Sequence, residues 1–198
     1  MQTLIFATNN RNKVNELRAV VGDRFQVITL EEAHIHIDIP EPHATLAENA
    51  AEKSNVIHRL TGKDCFGEDT GLEVTALGGE PGVKSARYAG DDRDFRKNTE
   101  LLLQRLQKHS DRSARFRTVI SLLLNERQHF FEGICEGHIA TGPRGSAGFG
   151  YDPVFVPLGS DRSFAEMELG EKNIFSHRRK ATDQLVQFLL HYSTHQTK

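Results

Sequence analysis

The stretch Asp64-Cys65-Phe66-Gly67-Glu68-Asp69-Thr70-Gly71 decides how this sequence is interpreted. Its apolar pair is followed at once by two carboxylates, a hydroxyl and a glycine, and an apolar alternation restarts at Leu72. This pattern predicts a strand, a tight acidic turn and a second strand. Carboxylates at a strand end suit a hard cation such as Mg2+, which prefers oxygen ligands. An acidic turn that only faces solvent is the alternative.

The composition bounds the class of protein. The chain has 198 residues, of which 37% are hydrophobic and 26% charged, as in a globular protein of one domain or two joined lobes. Its formal net charge of −2 argues against a nucleic-acid partner. The cysteines, Cys65 and Cys135, lie in apolar runs without a CxxC spacing, so we expect buried free thiols. Because the N-terminus has no basic leader and no apolar run approaches the ~18 residues of a membrane span, we expect a cytoplasmic protein with no membrane partner.

The first loop of the chain is suited to binding an anion. An apolar run at residues 3–7 predicts a buried strand, and apolar residues at helical spacing from Val14 predict a helix that ends at Gly22. The amides of the connecting loop and the helix N-terminus can receive a phosphate, although the P-loop pattern is absent. Simple capping by Asn9 or Asn10 is the alternative.

The next stretch brings carboxylates and a helix. Residues 31–44 are rich in histidine, acids and proline, but the histidine spacing matches no zinc motif. Glu41 stands between two prolines, so its backbone is stiff. Thr45 opens a capping box that predicts a helix to about residue 60. Glu48, Asn49 and Lys53 are expected to share its surface, and capping or solvation alone would also explain them.

The second half of the chain adds a hairpin and aromatic residues. The runs 114–124 and 128–140 predict a long antiparallel hairpin, which could form a dimer surface. In the glycine-rich stretch that follows, Phe149 could stack on a base, and Asp152 could accept a hydrogen bond from it. Alternatively, the aromatic rings pack into the core. Ser176 is expected to cap a helix whose first turn is basic, a misfit with the helix dipole that often marks function.

Together these stretches resemble the inosine triphosphate pyrophosphatase family, in order and spacing, over nearly the whole chain. The matching segments are Thr8-Asn9-Asn10-Arg11-Asn12-Lys13, Glu48-Asn49-Ala50, Glu68-Asp69-Thr70-Gly71-Leu72, Leu77-Gly78-Gly79-Glu80-Pro81-Gly82, Ser85-Ala86-Arg87-Tyr88, Gly148-Phe149-Gly150-Tyr151-Asp152-Pro153, Glu171-Lys172 and Ser176-His177-Arg178.

The resemblance implies both a fold and an activity. The implied fold is α/β, with a long curved mixed sheet flanked by helices and two lobes that hold the active site in a cleft. Residues 1–198 would form a single two-lobed domain that assembles as a homodimer. The implied activity is Mg2+-dependent hydrolysis of ITP, dITP and XTP to the monophosphate and pyrophosphate, a hydrolase reaction of nucleotide metabolism that cleanses the nucleotide pool.

The resemblance also assigns residues. It implies Asp69 as the catalytic carboxylate, acting as general base or metal ligand, and Glu41 as the second metal ligand. Many relatives have two aspartates and a serine where this chain has Glu68 and Thr70, so Glu68 stays open as the second ligand. The implied substrate-binding residues for the phosphates are Thr8, Asn9, Asn10, Arg11, Asn12, Lys13 and Lys53. Those for the base and the nearby sugar or phosphate are Phe149, Gly150, Tyr151, Asp152, Lys172, His177 and Arg178, and Thr70 is a further substrate-binding residue.

The choice of substrate follows from hydrogen-bond chemistry. A 6-oxo purine offers an acceptor where adenine offers an amino donor, so His177 and Arg178 as donors would favour inosine or xanthine. One alternative is a pyrophosphatase for other modified or canonical nucleotides, which would not need these donors. A second is a non-enzymatic nucleotide-binding module, in which Asp69 would be dispensable.

Overall fold

A computed structural model describes residues 3–21 and 25–195 of the chain. Gly22, the residue expected to end the first helix, lies outside the described residues. Within them, the strands are β1 (Thr3–Phe6), β2 (Gln26–Thr29), β3 (Cys65–Val74), β4 (Pro81–Gly82), β5 (Ser113–Leu124), β6 (Arg127–Ile139) and β7 (Phe155–Pro157). The α-helices of the same residues are α1 (Arg11–Val21), α2 (Leu46–Thr61), α3 (Phe95–Arg105), α4 (Leu169–Phe175) and α5 (His177–His195).

The strands form one mixed sheet. Their order is β2-β1-β3-β5-β6-β7, and the short β4 pairs with β3 off this path. Strand β1 is parallel to β2 and β3, whereas β4 is antiparallel to β3 and β7 is antiparallel to β6. The α/β fold with a mixed sheet and flanking helices, predicted from the sequence, is confirmed.

The predicted hairpin is also confirmed. Strands β5 and β6 are neighbours in the sheet and are joined by two residues, Asn125 and Glu126. Both have positive φ, 48° and 63°, as a type I′ turn requires. Such a short connection closes only an antiparallel pair.

The acidic turn predicted at residues 64–71 is wrong. Strand β3 runs without interruption from Cys65 to Val74, and Glu68 and Asp69 lie in its middle, 2% and 6% exposed. Two adjacent carboxylates without counterions would have to stay in contact with water, and this is why they predicted an exposed turn. Here Arg178 and Lys53 bind them from distant parts of the chain, so both carboxylates stay in the buried strand.

Helix α2 begins as predicted but buries more than predicted. Thr45 caps it by accepting from the Glu48 amide, and Gly62 ends it in the left-handed region at φ 63°. Glu48 stays with the cap, where its carboxylate accepts from the Thr45 hydroxyl at 2.7 Å. The expectation that Asn49 and Lys53 lie on the helix surface is wrong, because both are buried against the sheet side of the helix.

The chain divides into two compact units. The first comprises the described residues within the ranges 1–69, 118–133 and 178–198, and the second comprises Thr70–Arg117 and Ile134–His177. The core of the first unit contains a stacked ring pair, Phe6 and Phe66, whose centroids are 4.6 Å apart.

The core of the second unit contains a cluster of three rings. Phe116, Phe155 and Phe164 pack together within it, with centroids 4.7–6.1 Å apart. Both cysteines are buried free thiols, as expected, with Cys65 in the first unit and Cys135 in the second. None of the helices in the described part of the chain combines the length and apolar character of a membrane span.

Candidate active site

The first unit brings strand β3 and helix α2 into unusually close contact at Gly67. A Cβ at this position would overlap the carbonyl oxygen of Ala50 and lie 2.7 Å from the Cβ of Lys53. Only a glycine allows this approach. The strand residues that follow it, Glu68 and Asp69, are therefore held against the polar side chains of α2.

Lys53 is the centre of this contact. Its Nζ lies 2.8 Å from Oδ1 of Asp69, 2.5 Å from Oε1 of Glu41 and 2.9 Å from the carbonyl oxygen of Glu68. The two acids that the sequence proposed as metal ligands thus converge on one buried ammonium. Burial works against the charged lysine, but the two carboxylates outweigh it and raise the pKa of Lys53.

Asp69 is a buried carboxylate that contacts the side chains of Lys53 and Asn49. Asn49 donates to its Oδ2 at 3.5 Å, and the same amide is fixed by two hydrogen bonds to the backbone of His43. Burial raises the pKa of Asp69, and the positive charges of Lys53 and Lys13 oppose that rise. A carboxylate with a raised pKa that remains bound to an ammonium has the character of a general base.

Glu68 faces a different set of charges. Its carboxylate accepts from Nε of Arg178 at 3.0 and 3.1 Å and lies 3.2 Å from Nζ of Lys13. The guanidinium of Arg178 also binds the carboxylate of Glu16 on α1. Helix α1, strand β3 and the first turn of α5 are therefore joined by one buried ionic network.

This network explains the basic start of helix α5. A guanidinium at a helix N-terminus opposes the dipole, but Glu68 and Glu16 supply two negative charges that outweigh this effect. Despite its burial, the pKa of Arg178 is raised by the two carboxylates. Lys13 differs, because burial lowers its pKa even though Glu68 opposes the change.

The first loop holds its own helix start. Asn10 caps α1 by accepting from the amides of Asn12 and Lys13 at 3.0 and 3.3 Å, which realises the capping alternative. Thr8 accepts from the Asn10 amide at 3.1 Å, and the exposed Arg11 pairs with Glu31. Of the six residues predicted to hold phosphates in this loop, the structure brings Lys13 to the ionic network. Asn9 instead donates to the carbonyl oxygen of Ile37 at 3.0 Å.

The second unit contains the other predicted residues. Asp152 accepts from the amide of Phe149 at 2.9 Å and from Nζ of Lys172 at 2.8 Å, so the glycine-rich loop is folded onto its own carboxylate. Gly148 has φ 74°, and a Cβ there would overlap the Asp152 carboxylate, so the loop needs this glycine. Gly150 also has positive φ, 64°.

Lys172 stands among rings as well as beside a carboxylate. Its Nζ lies 5.3 Å from the ring centroid of Phe149 and 5.3 Å from that of Phe164, at cation–π distances. His177 packs flat on Phe116, with centroids 4.6 Å apart and planes 15° apart. These groups make a ring-lined, cationic set suited to a flat polar heterocycle.

Two further residues predicted from the sequence, Tyr151 and Thr70, also lie in the second unit. Tyr151 is buried and its hydroxyl donates to the carbonyl oxygen of Ser85 at 2.9 Å, and burial raises the pKa of that hydroxyl. Thr70, next to Asp69 in β3, belongs to the second unit and is half-buried. The neighbours His177 and Arg178 are likewise divided, since Arg178 belongs to the first unit.

The comparisons with known proteins assign the family. The sequence matches the Ham1 family over residues 4–188. The chain belongs to the Ham1 family. The resemblance found from the ordered motifs of the sequence is thereby confirmed.

Relatives of the Ham1 family match along their whole length. The dITP/XTP pyrophosphatase of Christiangramia forsetii is 48% identical over 186 residues, which cover 94% of this chain and 98% of the relative. That of Porphyromonas gingivalis is 49% identical over 191 residues, covering 96% and 98%. The solved structure of the Staphylococcus aureus Ham1 protein has a TM-score of 0.88 and 37% identity, covering 96% of this chain and 100% of that one.

Sequence reasoning missed one acid and misjudged one amide. Glu16 lies on the apolar side of α1 and is 7% exposed, yet no role was assigned to it. Its signal was present, because an acid three residues after Lys13 falls among the apolar positions of the helix. Asn49 contacts Asp69, but nothing in a sequence indicates which side chain a strand 20 residues away will meet.

Proposed function

We propose that this protein hydrolyses non-canonical purine nucleoside triphosphates, ITP, dITP and XTP, to the monophosphate and pyrophosphate. The observation that carries the proposal is the buried carboxylate of Asp69, which has a raised pKa and is bound to the ammonium of Lys53. The chain that contains it is 48% identical to a protein named dITP/XTP pyrophosphatase. Family membership and the relatives' names support the pyrophosphatase reaction, and the site supports the assignment of its residues.

The first unit would carry the phosphate chemistry. Asp69 removes a proton from water, whose oxygen bonds to a phosphorus atom of the α–β bridge while the bond from that phosphorus to the bridging oxygen breaks. Lys53 holds Asp69 ionised and in place, which matters because phosphoryl transfer depends mainly on positioning and charge neutralisation. Lys13 is the cation of the first loop that lies at this network.

Magnesium fits the donor set of this unit. The described residues contain no group of three or more His, Cys, Asp or Glu side chains placed for a metal ion. Mg2+ does not need one, because it is held by one or two carboxylates together with waters and substrate phosphates. Glu41 and Asp69 would hold it, since both already converge on a cation, Lys53. When bound, the ion would neutralise charge on the phosphates.

The second ligand left open by the sequence is better assigned to Glu41 than to Glu68. Glu68 is already bound by Arg178 and Lys13, and its side chain is fully buried. We therefore assign Glu68 to the ionic network, and Arg178 to holding Glu68 and Glu16 rather than to the base. This assignment revises the donor role that the sequence suggested for Arg178.

The second unit would recognise the base. Phe149 offers a ring to stack on, and Lys172 and His177 are the donors for a 6-oxo group. An adenine amino group facing these donors would leave hydrogen bonds unmade, at a cost of about 1–3 kcal/mol each. Guanine shares the 6-oxo group, so we propose that its 2-amino group is excluded sterically.

The experiment is pyrophosphate release with Mg2+ from ITP, XTP, GTP, ATP and dTTP in parallel, with Asp69→Asn as the blank. Strong release from ITP and XTP that is lost in the variant supports the proposal. Equal turnover of all five would reject the base-recognition argument, and GTP turnover rivalling that of ITP would reject exclusion of the 2-amino group. ITP binding without turnover would identify a binding module instead.

Two expectations remain predictions: the homodimer, which the family resemblance implies, and the cytoplasmic location, which was expected from the sequence itself. Size-exclusion chromatography with light scattering measures the first directly, because a dimer of this 22.3 kDa chain has twice that mass. A monomeric mass at micromolar concentration would reject the dimer without affecting the proposed reaction.

A further inference from the structure

The turn Ser163–Glu166 is built to present one side chain, that of Phe164. A capping box closes it: Ser163 and Glu166 each bind the backbone of the other, and the Ser163 amide donates to Oε2 of Glu166 at 2.7 Å. Phe164 is fully buried at 0% exposure. A single turn fixed at both ends leaves this ring little freedom.

The same turn is bonded to the glycine-rich loop. The carbonyl oxygen of Ala165 accepts from the amides of Ser146 and Ala147 at 3.2 and 3.0 Å, and its amide donates to the carbonyl oxygen of Asp152 at 3.2 Å. A Cβ at Gly145 would overlap the Ala165 carbonyl group, so the two segments touch backbone to backbone. The turn that carries Phe164 and the loop that carries Asp152 therefore form one piece.

The ring of Phe164 contacts Lys172 and His177, the two side chains proposed to donate hydrogen bonds to the base. The centroid of the Phe164 ring lies 5.3 Å from Nζ of Lys172, and the centroid of the Phe149 ring lies at the same distance from that atom. The centroid of the Phe164 ring is 6.4 Å from that of His177. It also packs nearly parallel to Phe116, at 6.1 Å and 16°, and Phe116 in turn supports the imidazole of His177.

We propose that Phe164 is a positioning residue of the base-recognition site, which fixes Lys172 and His177 without touching substrate itself. The proposal rests on the proposed function, in which these two side chains donate to the 6-oxo purine. An aromatic face is required, because its quadrupole attracts the ammonium of Lys172 whereas an aliphatic side chain of similar size only fills space.

The chain offers a matched control. Phe155 is equally buried in the same ring cluster, and its ring contacts are with Phe116 and Phe164. Phe164→Leu and Phe155→Leu remove the same atoms from the same core, so both should lower the thermal midpoint to a similar degree. They differ in whether the lost ring faces Lys172.

Steady-state kinetics with ITP and Mg2+ gives the first readout. We expect Phe164→Leu to raise KM for ITP about tenfold, with kcat within about twofold, because a held cation is released while the phosphate chemistry is untouched. Phe155→Leu should keep KM within about twofold. Equal KM changes in the two variants would overturn the positioning role.

A readout without substrate separates this inference from the proposed function. The ε-methylene protons of Lys172, assigned in lysine-labelled protein with Lys172→Arg, should be shifted upfield by the two rings, and Phe164→Leu should move them downfield. If they do not move, the positioning role is wrong. If they move but the wild type neither binds nor hydrolyses ITP, the positioning role stands and the proposed function fails.

A second substitution guards against loss of folding. If Phe164→Leu does not fold, Phe164→Met fills more of the space, and its unbranched side chain packs adaptably without a ring face. It is expected to show the same downfield movement and the same rise in KM. Wild-type values of both in the folded Met variant would overturn the proposal.

Discussion

The two units of the chain use opposite means to hold polar groups away from water. The first unit balances several buried or partly buried charges against one another, and the second places the buried ion pair of Asp152 and Lys172 among aromatic rings. The charged groups meant in the first unit are Lys13, Glu16, Glu41, Lys53, Glu68, Asp69 and Arg178.

The difference follows the chemistry proposed for each unit. Phosphoryl transfer moves charge, so it needs carboxylates and cations whose positions are set before substrate arrives. A purine is flat, uncharged and polar at its edges, so recognition needs ring faces and a few fixed donors. On this division, a substitution in the first unit should lower kcat and leave base recognition intact, and one in the second unit should weaken base recognition and leave kcat nearly unchanged.

The largest effect is expected from Asp69→Asn. Removing the proposed general base should lower kcat for ITP by about 10²–10⁴-fold, while ITP still binds, because base recognition lies in the other unit. Pyrophosphate release and isothermal titration measure the two quantities. Glu73→Gln, which changes an acid of the same strand that pairs with Arg115, is the control and should stay within about twofold. Loss of ITP binding in Asp69→Asn would contradict the division.

Glu68→Gln tests the ionic network as a stabilising element. It weakens the pairing of the buried Arg178, and breaking a buried pair typically costs about 3–5 kcal/mol in the free energy of unfolding. Denaturant unfolding measures the loss. Glu31→Gln, which breaks the exposed pair with Arg11, should change it by less than about 1 kcal/mol. Equal losses would mean that the network is not the stronger of the two.

Lys172→Met tests the second unit, and it is expected to change substrate binding rather than kcat. It removes the cation that binds Asp152 and lies on two rings, and charged hydrogen bonds are worth about 1.5–3 kcal/mol. We expect KM for ITP to rise by about 10–100-fold and kcat to change by less than about threefold. A fall in kcat at constant KM would assign Lys172 to the chemical step.

The pH profile gives a smaller effect. Burial raises the pKa of Asp69 above the ordinary value of 3.8, and the base must be ionised to act. In the protein without Mg2+, the Asp69 carboxyl should therefore titrate with a midpoint above pH 3.8. The chemical shift of its carboxyl carbon, followed against pH in metal-free protein and assigned with Asp69→Asn, measures the midpoint, and circular dichroism excludes acid unfolding. A midpoint at or below 3.8 would contradict the account.

The two thiols report on whether each unit stays folded, and their reaction with Ellman's reagent is expected to be almost undetectable. Cys65 is buried in the first unit with its pKa raised to about 12 by burial, and Cys135 is buried in the second. Because both thiols are buried, and because the raised pKa of Cys65 keeps its reactive thiolate scarce near neutral pH, Ellman's reagent should modify neither in the native protein. Concentrated guanidinium chloride should expose both. Rapid native labelling of Cys135 alone, with Cys135→Ser as the check, would mark the second unit as the one that opens.

The sequence predicted the elements better than it predicted their surroundings. Strand β1, the capped helix α2 and the β5–β6 hairpin follow from apolar periodicity and local capping, which act within a few residues. The predicted turn at Glu68 and Asp69 was wrong because their counterions come from elsewhere in the chain. Arg178, which binds Glu68, lies 110 residues further along, and Lys53, which binds Asp69, lies on helix α2. No local pattern contains that information.

The site was predicted in the same uneven way. The candidate residues were named from motifs and remain predictions. Among them Arg178 was assigned to the base, and in the structure its side chain binds Glu16 and Glu68. The sequence places His177 and Arg178 side by side, and only the structure assigns them to different units. Motifs identify residue types, and the partner that each side chain meets depends on tertiary contacts.

The measurement that tests the division most directly uses the two halves of the substrate as separate ligands. Inosine and inorganic tripolyphosphate with Mg2+ are titrated into the wild type, Lys13→Met and Lys172→Met. The account predicts that Lys13→Met weakens tripolyphosphate binding and leaves inosine unchanged, and that Lys172→Met does the reverse. If either variant weakened both ligands equally, the division of labour between the two units would be contradicted.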